Sequence, residues 1–139
     1  MKFTIERLAL IKMIEEVPVK LPDQRRREVY LKLWACDARV FVMDVKRLKK
    51  LKKPDFWAVH EALVLEDGEC IVPGRVLLRI LKFQTGLRNC TIEVDENGLR
   101  LGTFLLTVKG YSPTTSPPAE FHVFPVTDLA VVGSRAQPL

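Results

Sequence analysis

The sequence has few residues of the kinds that hold metal ions or cross-link small domains. Its 139 residues include only three cysteines, Cys36, Cys70 and Cys90, and two histidines, His60 and His122. No two cysteines have a C-x-x-C spacing, whereas a structural zinc site needs about four close ligands. We therefore expect no metal centre and no cofactor, and we expect the cysteines to be buried apolar side chains in a reducing cytoplasm.

Long apolar runs and catalytic motifs are also missing. Charged residues interrupt every apolar stretch of residues 1–16, which argues against a signal peptide or a membrane span there. The sequence contains no Gly-rich phosphate loop, G-x-S-x-G elbow or H-E-x-x-H motif, which are common signatures of enzymes. His60 and Glu61 are adjacent, but the alternation of a strand would send their side chains to opposite faces. These absences predict a soluble, cytoplasmic protein that is not an enzyme.

Positive charge is concentrated in one segment. The formal net charge is +5, and residues 46–53 (KRLKKLKK) contain six basic and no acidic residues, so the rest of the chain has a net charge of −1. A concentrated basic run indicates a polyanionic partner more than a diffuse basic surface would, although a solvated loop or helix end is the alternative. Contact with an anionic membrane is disfavoured because stable anchoring usually needs two signals. The basic residues are Lys46, Arg47, Lys49, Lys50, Lys52 and Lys53.

Hydrophobic periodicity predicts the elements of the first half of the chain. Residues 2–5 alternate polar and apolar side chains, which is typical of a short half-buried strand. An amphipathic helix follows, because the apolar side chains from residue 10 to residue 17 share one side of a helical wheel, and Pro18 ends it. Further strands are predicted at residues 28–36, 39–43 and 56–65, the first two joined by a turn at Asp37-Ala38.

The second half predicts one more helix and several strands. Asp67-Gly68 predicts a turn, and Pro73 is a favoured first residue for a helix over residues 73–84. Because strands and helices do not alternate, we predict an α+β fold: a mainly antiparallel sheet with two helices packed on one face. We expect one domain over residues 1–126 and a loose C-terminal tail over residues 127–139. The predicted strands are residues 91–94, 99–101, 104–108 and 120–126, with a proline-rich loop at 112–118.

A stripe of basic residues distinguishes the second helix. Arg75, Arg79 and Lys82 occupy a sector about 60° wide on a helical wheel. Like charges at this spacing repel slightly on an isolated helix, so an opposing row of negative charge, such as a phosphate backbone, would offset the cost. The alternative is an ordinary solvated face whose charges share one sign. The stripe predicts contact with nucleic acid.

A family resemblance rests on five segments in one order along the chain. They are MKFTIERLALIKMIEEV, EVYLKLWACDARVFVM, CIVPGRVLLRILKFQ, TIEVDENGLRLGTFLLTVKGYSP and PAEFHVFP. Together they resemble the N-terminal domain of the bacterial DNA polymerase III β subunit, the sliding clamp. The resemblance covers roughly residues 1–125.

The resemblance implies a DNA-clamp fold, in which two helices face a central channel and strands form the outer wall. It implies that Arg75, Arg79 and Lys82 meet duplex phosphate. It also implies that a loop after the first helix contacts DNA through Arg25, Arg26 and Arg27. The implied partners are double-stranded DNA, replication or repair proteins, and further copies of this chain joined through edge strands.

Two departures from the family pattern leave a second function open. A bacterial clamp chain has three such domains where this sequence has one, so a six-domain ring would need six copies. The exposed residues of the first helix, Lys12, Glu15 and Glu16, are also not uniformly basic. The alternative is a protein-interaction module with the clamp fold, which binds a replication or repair protein and does not encircle DNA.

Overall fold

Two helices and eleven strands occur in residues 1–16, 29–45, 56–115 and 130–133, which the computed structural model describes. The helices are α1 (Arg7–Glu16) and α2 (Gly74–Phe83). The strands are β1 (Lys2–Glu6), β2 (Tyr30–Cys36), β3 (Arg39–Asp44), β4 (Phe56–Glu61), β5 (Leu63–Glu66), β6 (Gly68–Pro73), β7 (Asn89–Asp95), β8 (Gly98–Leu101), β9 (Phe104–Leu106), β10 (Lys109–Ser112) and β11 (Ala130–Gly133).

The strands are divided between two antiparallel sheets. Sheet A has the order β5-β1-β7-β8-β9, and sheet B has the order β10-β6-β2-β3-β4-β11. Apolar side chains from both sheets and both helices meet in one core, which includes Phe3, Leu10, Leu33, Leu81 and Ile92. The predicted α+β class is confirmed, with the strands in two sheets. Neither helix of the described part is long and apolar enough to cross a membrane.

Each helix buries one apolar face in the core. α1 buries Leu10, Met13 and Ile14, and α2 buries Leu77 and Leu81. These positions recur at the three- and four-residue spacing that places side chains on one face of a helix. The two apolar faces therefore lie in the core, and the remaining faces are left for solvent or a partner.

Arg7 joins the start of α1 to the end of α2. Its Nη1 donates a hydrogen bond to the carbonyl of Leu81 at 2.8 Å, and its Nε donates one to the carbonyl of Leu87 at 3.0 Å. The last carbonyls of a helix lack intrahelical partners and carry partial negative charge, so a guanidinium is a favourable partner for them. The contact places a positive charge from the start of α1 at the C-terminal end of α2.

The turn between β2 and β3 carries backbone strain. Asp37 and Ala38 have φ angles of 54° and 58°, a left-handed conformation that costs a non-glycine residue roughly 1–2 kcal/mol. The two residues form the predicted hairpin turn, in the position where Asn-Gly is the usual pair.

We expect Ala38→Gly to stabilise the protein by about 0.5–1 kcal/mol. Glycine removes the left-handed strain at position 38, and the greater entropy of the unfolded chain offsets part of that gain. Urea denaturation of the two proteins would measure the difference, provided that the m-value is unchanged. An Ala38→Gly protein that is less stable than the parent would show that the turn is not strained.

Residues 56–65 form two strands rather than the one predicted. The chain leaves sheet B after β4 and enters sheet A as β5, and the break at Ala62 is fixed by a 3.0 Å hydrogen bond from its N–H to the carbonyl of Ala38. The turn predicted at Asp67-Gly68 is the point at which the chain returns to sheet B. A Cβ at Gly68 would lie 2.6 Å from the Cβ of Met1. Glycine is therefore required there by close packing.

Two strands near the C-terminus differ from the sequence prediction. The strand predicted at residues 104–108 ends at Leu106, and β10 follows at Lys109–Ser112 as an edge of sheet B. Residues 130–133, which lie within the predicted loose tail, form β11 and pair with β4. The strand predicted at residues 120–126 lies outside the described residues.

Candidate nucleic-acid interface

The structure places Arg75, Arg79 and Lys82 on α2 as predicted. Arg79 and Lys82 are exposed and Arg75 is half-buried, while Leu77 and Leu81 point into the core. The first helix presents Lys12, Glu15 and Glu16 at its own exposed or half-buried positions. We call the surface that these residues form on α1 and α2 the helix face: Lys12, Glu15, Glu16, Arg75, Arg79 and Lys82.

Lys82 already has a partner within the molecule. Its Nζ lies 2.7 Å from Oε2 of Glu15, and both side chains remain partly exposed. An exposed ion pair of this kind contributes less than about 1 kcal/mol to stability. Its importance is local, because the carboxylate neutralises one of the three cations predicted to bind phosphate. The sequence prediction did not identify this pairing.

Arg79 is differently placed. Its exposed guanidinium has no carboxylate partner among the residues that the structure describes, and the same holds for the ammonium group of Lys12. The helix face thus carries four cations, Lys12, Arg75, Arg79 and Lys82, and two carboxylates, Glu15 and Glu16. It is positive, but less strongly than the α2 stripe alone predicts.

The outer face of sheet A has a different electrostatic character. Lys2 pairs with Glu93 at 3.8 Å, and Arg100 pairs with Asp95 at 3.0 Å. A hydrogen bond from the backbone N–H of Asn97 lowers the pKa of Asp95, and a hydrogen bond from the side chain of Arg100 lowers it further. Charges on this face are matched along the strands, so it lacks the excess of positive charge that a polyanion requires.

Several of the predicted site residues lie outside the described part of the chain. They are Arg25, Arg26, Arg27, Lys46, Arg47, Lys49, Lys50, Lys52 and Lys53. Their role in binding nucleic acid stays a prediction. Within the described ranges, no group of three or more histidine, cysteine, aspartate or glutamate side chains is close enough to hold a metal ion.

The cysteines are buried, as the sequence predicted. The pKa of the Cys70 thiol is raised to about 12, and the pKa values of Cys36 and Cys90 are raised to about 11, mainly because these side chains are buried. A thiol with a raised pKa contains little of the reactive thiolate at neutral pH. All three therefore behave as small apolar core residues.

An apolar patch at the edge strand β9 was missed by the sequence prediction. Phe83 at the end of α2 is 77% exposed, and its ring meets that of Phe104 edge to face, with centroids 6.4 Å apart. Leu105, the next residue of β9, is also exposed, but it lies on the opposite face of the strand. Grouped exposed apolar side chains often mark an interaction surface. The signal available in the sequence was Phe83, an apolar residue next to the charged stripe of α2.

Solved structures resemble this chain, although no family model and no curated protein matches it. "Caulobacter crescentus pol III beta" is 22% identical, with a TM-score of 0.54, over 92% of this chain and 32% of that one. The DNA polymerase sliding clamp from Bacillus subtilis is 20% identical, with a TM-score of 0.55, over 78% of this chain and 31% of that one. The Helicobacter pylori beta clamp bound to a DNA ligase peptide is 13% identical, with a TM-score of 0.58, over 79% of this chain and 31% of that one.

These similarities confirm the predicted DNA-clamp fold. The chain spans about a third of the length of each of these clamps. At this level of identity the likeness concerns the fold, because one fold can carry many functions.

Proposed function

Because the chain has the fold of a sliding-clamp domain, we propose that it is a non-enzymatic, DNA-replication-associated protein that binds duplex DNA through the helix face. The exposed guanidinium of Arg79, with no carboxylate partner among the described residues, is the observation that carries this proposal. Lys12 and Arg75 add positive charge on the same surface. Arginine and lysine contacts to phosphate give affinity without base specificity, which suits binding that is independent of sequence.

One copy of the helix face would hold DNA weakly. Three phosphate contacts, from Arg75, Arg79 and Lys82 on α2, correspond to a slope of roughly −2.7 in a plot of log affinity against log salt, so affinity falls about 40-fold between 50 and 200 mM salt. Several copies joined in one assembly would bind more tightly through combined contacts. We therefore infer that the chain binds DNA as an oligomer joined through edge strands, and the exposed apolar patch on β9 supports this.

Fluorescence anisotropy with a labelled duplex, measured from 50 to 200 mM salt, tests the proposal. We expect the dissociation constant to rise by about 40-fold across this range, or by about tenfold if Glu15 keeps Lys82 from the phosphates and only two contacts form. Absence of binding, or binding that salt does not change, would contradict it. Capture of a purified replication or repair protein without DNA would then favour the protein-interaction module.

Glu15→Gln is expected to tighten binding to DNA. The change releases Lys82 from its 2.7 Å ion pair and makes it available to a phosphate. One additional phosphate contact raises the affinity for DNA by up to about eightfold at 0.1 M salt, relative to its contribution at 1 M salt. Titration of the labelled duplex at 0.1 M salt measures the gain.

The matched control is Glu93→Gln on the outer face of sheet A. It removes one carboxylate and releases Lys2 from an ion pair of 3.8 Å, so the change in net charge is the same. We expect it to alter affinity by less than about twofold, because a single charge on another face is largely screened beyond about 10 Å at 0.1 M salt. Equal gains from both substitutions would show that only net charge is sensed.

A further inference from the structure

One end of the domain gathers several carboxylates. Glu61 ends β4 and lies opposite Arg39 in the register of β3 and β4, next to the turn that contains Asp37. Burial raises the pKa of the Cys36 thiol most, and the charges of Asp37 and Asp67 raise it further. Asp67 therefore lies near the same turn, and this end of the domain is acidic.

Two leucines are exposed between these carboxylates. Leu63 and Leu65 of β5 are 61% and 54% exposed, and Val64 between them packs against the core. Because side chains alternate along a strand, both leucines lie on the outer face of sheet A. Exposed apolar side chains grouped in this way often mark an interaction surface. We call it the acidic leucine surface: Asp37, Glu61, Leu63, Leu65, Glu66 and Asp67.

Part of the negative charge on the acidic leucine surface is unmatched. Residues 61–67 contain three carboxylates and no lysine or arginine. Asp37 and Glu66 each have one long ion pair, of 3.9 and 3.6 Å. Glu61 and Asp67 are exposed and have no cation within 4.0 Å among the residues that the structure describes. A partner for this surface needs cations to match the carboxylates and apolar side chains to cover the leucines.

The basic segment of residues 46–53 has the composition that such a partner needs. It contains six basic residues and no acidic residue, and its apolar residues are Leu48 and Leu51. The segment lies outside the described residues, so the match is one of charge and composition. Opposite charges on two surfaces favour their association and disfavour partners of the wrong sign.

Covalent geometry keeps this segment from covering the acidic leucine surface of its own copy. Residues 45–55 join β3 to β4 at the Asp44 end of β3, whereas the acidic leucine surface lies at the Arg39 end. These two ends of β3 are about 17 Å apart. Leu48 is four residues from Asp44 and reaches at most about 14 Å even in a fully extended chain. A second copy is not subject to this limit.

We propose that residues 46–53 of one copy dock on the acidic leucine surface of a second copy. The contact brings the cations of the segment to Glu61 and Asp67, and its leucines to Leu63 and Leu65. It joins different surfaces of the two copies, so each copy offers one of each to its neighbours. The contact requires no pairing of strands, and it does not depend on DNA binding by the helix face.

Zero-length cross-linking of a mixed sample tests the proposal. Copies labelled with the heavy isotope of nitrogen are mixed with an equal amount of unlabelled copies at high salt, which screens exposed charges, and are then returned to low salt. A carbodiimide joins lysine amines to carboxylates that they touch. We expect peptides that link residues 46–53 to Glu61 or Asp67, and about half of them should combine a labelled with an unlabelled chain. Links confined to single chains, or no link between these segments, would overturn the proposal.

Two complementary variants provide the second test. The segment variant carries Lys49→Glu and Lys50→Glu, and the labelled surface variant carries Leu63→Ser and Leu65→Ser. We expect each variant alone to lose the link between chains. Their mixture should restore it in one direction, from the segment of the surface variant to the carboxylates of the segment variant. Failure of the mixture to restore the link, or links in both directions, would contradict the proposal.

The matched control is Leu105→Ser, which removes another exposed leucine from the outer face of sheet A. Leu105 is 60% exposed and lies on β9, at the opposite edge of the sheet from β5. We expect this variant to keep the yield of the link between chains. A loss equal to that of the surface variant would show that the link does not depend on the acidic leucine surface.

Duplex binding by the same variants distinguishes this proposal from the proposed function. The surface variant leaves the helix face unchanged, so we expect it to bind DNA with the salt dependence of the parent. A protein that binds DNA but gives no link between chains would keep the proposed function and remove this contact. A protein that gives the link but does not bind DNA would keep the contact and remove the proposed function.

Discussion

Arg79→Glu is expected to weaken binding to duplex DNA by about 60-fold at 0.1 M salt. One phosphate contact is worth about eightfold at this salt concentration relative to 1 M, and a carboxylate in its place adds a repulsion that we take to be of similar size. Arg79 should show the full effect because its side chain is exposed and has no carboxylate partner among the described residues. Anisotropy titrations of the parent and Arg79→Glu proteins give the two dissociation constants.

The matched control is Arg100→Glu, which changes net charge by the same amount on the outer face of sheet A. Arg100 is paired with Asp95 at 3.0 Å, so it lies on a surface whose charges are already matched. We expect less than about threefold weakening, because charges on another face are screened at this salt concentration. If the two reversals weaken binding equally, the helix face is not the binding surface. Circular dichroism of each variant shows that it is folded.

Gly98→Ala is expected to destabilise the protein by about 3 kcal/mol or more, from backbone strain and overpacking together. Gly98 has a φ of 138°, a conformation that side chains rarely adopt. A Cβ at this position would also overlap the carbonyl oxygen of Leu106 in β9, which has little freedom to move. The change should therefore displace β9 or unfold the protein at a lower urea concentration.

Gly86→Ala separates these two causes. Gly86 has a φ of 93°, but a Cβ there would meet nothing within 4 Å. We expect a loss of about 1–2 kcal/mol, from backbone strain alone. Urea denaturation of both variants measures the difference. Equal losses for the two changes would show that β9 moves aside easily, so that contact with Leu106 does not hold Gly98 in place.

The helices were predictable from the sequence because local information determines them. The spacing of apolar residues predicted both α1 and α2, and Pro73 marked the start of the second within one residue. The same helical wheel placed Arg79 and Lys82 on the solvent side. The strands predicted at residues 91–94 and 99–101 occur as β7 and β8, and in the turn between them the N–H of Asn97 donates a hydrogen bond to Oδ1 of Asp95 at 2.8 Å.

Long-range relations could not be predicted in this way. Glu15 and Lys82 are 67 positions apart in the sequence, and only the packing of α1 against α2 brings them together. The division of residues 56–65 between two sheets depends on the bond from Ala62 to Ala38, and an apolar run carries no sign of it. Strand β2 is buried on both faces, because the adjacent residues Leu33 and Trp34 are both buried. A pattern that assigns one face of a strand to the core does not predict this.

The position of bound DNA tests the central claim most directly. An iron chelate that cleaves nearby DNA is attached to a cysteine introduced by Lys12→Cys on the helix face, or by Thr91→Cys on the outer face of sheet A. The native cysteines are buried and have raised pKa values, so the new thiol takes the label. We expect the bound duplex to be cut from position 12 and left intact from position 91. Cleavage from position 91 alone, or from neither position in a complex that is shown to form, would contradict binding by the helix face.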